Sequence, residues 1–149
     1  MKFRRHVLAS FCTLLTALSV SAALPVQAQA TTTAAAASTA ETMKAYRMDA
    51  ARHIYATYPQ KIYKGKLPAL VHAVVVTEVE LDASGHVRDI HMIRVPTHAP
   101  DVTVAVRDMI QSASPMPAPT RLGGAKFTEI WLVDKSGRFQ LDALTEGQR

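Results

Sequence analysis

From Met43 onward, apolar residues recur at steps of three and four. Met43, Tyr46, Ala50, Ile54 and Tyr58 fall on one face, with the stem of Arg47 at its edge, so the pattern predicts a helix. Thr42 or Glu41 stands at its start, and Pro59 ends it, because proline lacks a backbone donor and disfavours helix in the residue before it. Residues 60–70, with Lys61, Lys64, Gly65, Lys66 and Pro68, read as an irregular connection. Residues 71–81 then alternate. Ala73, Val75, Thr77, Val79 and Leu81 share one face of a strand, and His72, Val74, Val76, Glu78 and Glu80 share the other.

Asp82-Ala83-Ser84-Gly85 is a turn, and residues 86–95 return as a second strand. Val87, Ile90 and Met92 break the two-residue step, which predicts a bulge near Arg88 and Asp89. Residues 101–113 place Val102, Ala105, Val106, Met109, Ile110 and Ala113 on one helical face, with Asp101 at the positive N-terminus. Prolines and glycines exclude regular structure from 114–124. Residues 127–133 form a third strand, Asp134-Lys135-Ser136-Gly137 a turn, and 138–141 a short optional fourth strand. The order helix, strand, strand, helix, strand predicts an α+β fold of two layers, with both helices on one face of a small antiparallel sheet.

The 149-residue length suits one domain, and 48% hydrophobic residues exclude a wholly disordered chain. The formal charge of +5 is concentrated unevenly. Lys2, Arg4 and Arg5 sit in residues 1–30, where there is no acid. The pI therefore carries no argument for nucleic acid as a partner. Residues 7–24 are uncharged and mostly apolar, and Ala28-Gln29-Ala30 has small residues where signal peptidase cuts, so 1–30 reads as a secretory signal. The single cysteine, Cys12, lies inside that apolar run and not after it, so it is neither a lipidation site nor half of a disulfide. Residues 31–42 are Ala/Thr-rich and read as a flexible leader; 43–142 are the folded domain and 143–149 a polar, frayed tail.

The Tyr58-Pro59 pair, the run from Val74 through the Asp82-Ala83-Ser84-Gly85 turn to Val87, Ile90 and Met92, the Pro-rich loop at 114–120, and Phe127 leading into the last strand resemble the TonB C-terminal domain family, TolA-like relatives included. The match covers most of the chain beyond residue 42. The resemblance implies a domain that binds a short extended segment of an envelope or outer-membrane protein by adding it to the sheet as a strand. The third strand would be the receiving edge, contributing Phe127, Glu129, Ile130, Trp131 and Leu132, with Tyr58, Pro59 and Gln60 flanking the peptide. Where the family carries Gln-Pro ahead of its Tyr-Pro, this chain has Ile54-Tyr55-Ala56-Thr57. A TonB transducer also needs a membrane anchor and a long spacer, and twelve extended residues reach only about 40 Å. The resemblance therefore implies a free-standing periplasmic module that touches membrane only through its N-terminal segment if that is uncleaved. A short transducer anchored in the inner membrane is the alternative, and self-association into a homodimer stays open.

Other chemistry has little footing. His53, His72, His86, His91 and His98 are spread so that a three- or four-ligand metal site is not expected; His91 should face Thr77 across the hairpin. Glu78 and Glu80 read as a solvated strand face with Glu80 opposite Arg88. Ser38, Ser84, Ser112, Ser114 and Ser136 lie in leader, turn or loop positions without a nucleophile elbow, so neither an enzyme nor a cofactor is expected. Residues 43–66 hold six basic side chains against Asp49 alone, a surplus suited to an acidic peptide or an anionic membrane, or simply to a solvated helix face. Mass spectrometry of the mature protein is expected to find Thr31 at its N-terminus; an intact Met1 would favour the anchored form.

Overall fold

The computed structural model describes residues 36–148; the expected signal segment, 1–30, and residues 31–35 of the expected leader lie outside them. Its elements are α1 (Met43–Thr57), β1 (Ala73–Leu81), β2 (Val87–Arg94), α2 (Pro100–Ser112), β3 (Ala125–Val133) and β4 (Phe139–Leu141), with 3-10 turns at Pro59–Lys61 and Asp142–Leu144. Thr42 caps α1 by accepting a hydrogen bond from the Ala45 N–H at 3.2 Å. Pro100 and Asp101 open α2, where a missing donor is harmless and a negative charge is favoured.

The sheet is antiparallel in the order β2-β1-β3-β4. This is a mixed α+β fold, as the periodicity predicts, but the optional fourth strand is a full member of the sheet. Both hairpins turn on the same chemistry. Asp82 Oδ1 accepts from the Ser84 N–H, the Ser84 hydroxyl and the His86 N–H; Asp134 Oδ1 accepts likewise from Ser136 and Arg138. Those donors, the Ser84 hydroxyl foremost, pull the Asp82 carboxyl down to about 2, so the turn keeps its anion at any pH above the ordinary carboxylate range. The bulge falls where the spacing predicts it. Leu81 faces Val87 and Glu80 faces Asp89, which leaves Arg88 as the extra residue. That insertion corrects one pairing. Glu80 lies opposite Asp89, not Arg88, and on its other side meets Lys126, which sits 3.0 Å from Glu78 and 3.9 Å from Glu80.

One face of the sheet is covered. Ala73, Val75, Val79 and Leu81 of β1 and Phe127, Trp131 and Val133 of β3 are buried beneath α1 and α2. Tyr46 of α1 meets the Phe127 ring edge-on at 5.8 Å, and Trp131 tilts against Phe139 at 4.8 Å. Three tyrosine hydroxyls tie α1 down: Tyr46 donates to the Pro117 carbonyl, Tyr58 donates to the Met109 carbonyl, and Tyr55 accepts the Leu141 N–H. Burial raises the pKa of all three, so they stay neutral.

Two boundaries need correcting. The leader is not free up to residue 42: Ser38 is buried, bridges Pro119 in parallel and donates to Asp49 at 2.7 Å. Nor are residues 143–148 frayed. Gln148 bridges Leu67 in parallel, Glu146 accepts from the Gly65 N–H, and Ala143 and Leu144 pack against the core. Neither segment has periodicity of its own, so each acquires its order from a distant neighbour.

The twin turns differ in what surrounds their glycines. Gly85 and Gly137 both have positive φ, at 88° and 78°, but a side chain at Gly85 would run into the Met116 carbonyl, whereas Gly137 faces open space. Gly137→Ala is expected to cost about 1–2 kcal/mol, the left-handed penalty alone. Gly85→Ala should cost clearly more in chemical denaturation, because the 114–118 loop must move as well.

Candidate functional site

The strand expected to be the receiving edge is not an edge along its whole length. β4 lies beside Trp131, Leu132 and Val133, pairing them with Leu141, Gln140 and Phe139. The outer margin of β4 is answered in turn by the chain itself. The Tyr63 N–H donates to the Phe139 carbonyl, and the Leu141 N–H donates to the Tyr55 hydroxyl. Trp131 and Leu132 are therefore removed from the receiving edge. The physical reason is local: the Asp134 turn brings the chain straight back, and Phe139 and Leu141 then bury themselves beside Trp131.

Glu129 is also not a peptide contact. Its residue is 1% exposed, on the covered face opposite Thr77, and its carboxylate is fully engaged. Oε2 accepts from Arg47 Nε at 3.2 Å; Oε1 accepts from Arg47 Nη2 at 2.8 Å, the Ile130 N–H at 3.0 Å and the Ala143 N–H at 3.3 Å. Arg47 Nη2 reaches Asp142 as well, at 2.8 Å. Glutamate in a strand of alternating pattern carries no sign of this in sequence, since its partner is 82 positions away.

What remains of the edge is short and specific. β4 ends at Leu141, so among the described residues no strand lies beside 125–130 on that side. The Ile130 N–H points away from β1 to the Glu129 carboxylate. Thr128 and Lys126 share its parity, so their backbone groups face the same way. Among the described residues, neither N–H makes a bond outside the sheet. The opposite margin, β2, is unpaired over more residues but less receptive. It is broken by extra residues at Arg88 and Ile93, and carries Arg88, Asp89 and Arg94. Bulges and charges of this kind keep edges from pairing.

Tyr58, Pro59 and Gln60 belong to the opposite end of β3. Tyr58 is half-buried with its hydroxyl on α2, while Pro59 and Gln60 are exposed on the 3-10 turn. Gln60 borders a hollow of about 330 Å³ together with Val133 and Arg138. Phe127 is buried under Tyr46, and Ile130 is half-buried on the outer face of the sheet. The eight candidates therefore do not form one patch.

Among the described residues no group of three or more His, Cys, Asp or Glu is placed to hold a metal ion. His72 and His98 do come together, rings 5.6 Å apart, with His98 Nε2 on the His72 carbonyl; His91 faces Glu78, one residue from the expected Thr77. Ser38, Asp49 and His53 border one hollow, but the Ser38 hydroxyl donates to Asp49 and His53 Nε2 bonds the Ala113 carbonyl, so the imidazole is not turned to the hydroxyl. No described helix is long and apolar enough to cross a membrane. Compared with protein-family models, curated proteins and solved structures, the chain matches none.

The ion pair sets a clear expectation. Arg47→Met strands a buried carboxylate and should destabilise the fold by about 3–5 kcal/mol. Asp142→Ala, at an exposed carboxylate, should cost about 1 kcal/mol or less in urea denaturation.

Proposed function

We propose that this protein is a periplasmic protein–protein interaction module of the TonB C-terminal type, which binds an extended segment of an envelope protein by strand addition. The observation that carries the reading is the early end of β4, which among the described residues leaves 125–130 of β3 without a strand on the side away from β1. An unpaired strand margin buried on one face is a template for an incoming backbone. Lys126 and Thr128 supply the outward N–H and C=O groups, and their exposed side chains let a peptide approach. The segment captured is short, about four or five residues, because the Glu129 carboxylate already occupies the Ile130 N–H and the next residue, Trp131, is paired with β4.

Titration with synthetic peptides copying the N-terminal extended segments of outer-membrane transporters tests this. The Lys126 and Thr128 amides are expected to gain protection from hydrogen exchange. Thr128→Pro removes an outward donor while leaving the β1 ladder intact, so it should weaken binding at least about tenfold with the circular dichroism spectrum unchanged. Undiminished binding in a folded Thr128→Pro protein would overturn the proposal.

A further inference from the structure

The basic surplus of residues 43–66 is sorted by the fold. Arg47 is consumed by Glu129 and Asp142, and Arg52 by Asp49 at 2.9 Å. Lys61 and Lys64 are exposed and form no ion pair among the described residues. The β3–β4 turn then adds Arg138 to the same place, also exposed and unpaired among those residues. Lys61 and Arg138 line a groove, and Lys64 a hollow that adjoins it. The groove's apolar wall is Val102, Ala105 and Met109 of α2 with the end of β3 at Val133, and its rim is Lys61, Gln60 and Arg138. The acid on its far lip is Asp101; Glu146 lies beyond, on the Gly65 N–H. A second hollow of about 350 Å³, bordered by Tyr63 and Lys64, shares Gln60 and Arg138 with the first.

We infer that this groove is a docking site for an acidic peptide segment that places one apolar side chain against Ala105 and Met109 and its carboxylates on Lys61, Arg138 and Lys64. Charge complementarity decides the sign of the partner, and Arg138 supplies the planar fork that holds a carboxylate through two hydrogen bonds. Size and layout decide its kind. At about 330 Å³ the first hollow is at the small end of ligand pockets, which run from about 300 to 1,000 Å³. A continuous acyl chain running from one hollow into the other would pass Gln60 and Arg138, which line both, and set hydrocarbon against a guanidinium. A peptide alternating one apolar and several acidic side chains answers both the hollow and the cations. This site is independent of strand addition at 125–130, which uses backbone donors at the other end of β3.

Fluorescence anisotropy with a labelled octapeptide of one leucine among glutamates tests it on the purified protein, with amide shifts recorded up to millimolar peptide. Binding is expected, weakening with added salt as exposed ion pairs do. Lys61→Glu with Arg138→Glu should weaken it at least about tenfold, and so should Ala105→Trp, which fills the groove and leaves the charges in place. Thr128→Pro should leave it unchanged. No binding at millimolar peptide, equal binding when lysines replace the glutamates or serine the leucine, or indifference to Ala105→Trp overturns the inference. So does displacement of the peptide by anionic vesicles, or a dimer in sedimentation that Ala105→Trp dissolves, since each gives the groove another occupant.

Discussion

A carboxylate set in the middle of a covered sheet face has to be met by donors, and four N–H groups from three parts of the chain converge on Glu129. Two come from Arg47 on α1, one from the backbone of β3 itself and one from Ala143 in the last turn. A buried anion answered this completely adds little net stability over an apolar pair, but it is costly to leave half-answered. It therefore acts on arrangement. Helix α1, β3 and the turn after β4 must be positioned together, or the charge is stranded.

That requirement bears on how the sheet ends. Where β2 runs beside β1 for most of its length, β4 runs for three residues and is then diverted at Asp142, whose carboxylate meets the other side of Arg47. The diversion leaves part of β3 uncovered. It also places the final turn and tail against the 62–67 connection, where Gln140 donates to the Tyr63 and Gly65 carbonyls and Leu67 is fully buried. That margin of β3 is thus closed by the chain's own β4 along three of its nine residues and, among the described residues, has no strand along the rest.

Much of this was legible in local pattern. The alternation of β1, the broken step that betrays the extra Arg88, the helical faces of α1 and α2, and the paired Asp-x-Ser-Gly turns each depend on residues close in sequence. Burial of the tyrosines beneath α1 follows from the same periodicity. The candidate surface was less legible. Phe127, Glu129 and Trp131 are core residues whose side chains no peptide could reach, and Gln60 belongs to a groove whose other walls come from α2 and the second turn. A lone glutamate in an alternating strand gives no hint of an arginine 82 positions earlier, and a polar tail gives no hint that Gln148 meets Leu67.

The elements, their turns and the face each buries follow from steps of two, three and four residues and from the φ that proline and glycine permit. Tertiary structure decided which margin of the sheet stays open, which cations stay unpaired, and whether the terminal segments are ordered. Those outcomes rest on contacts between residues dozens of positions apart, and the strength of such contacts depends on burial and charge that exist only once the two helices have covered the sheet.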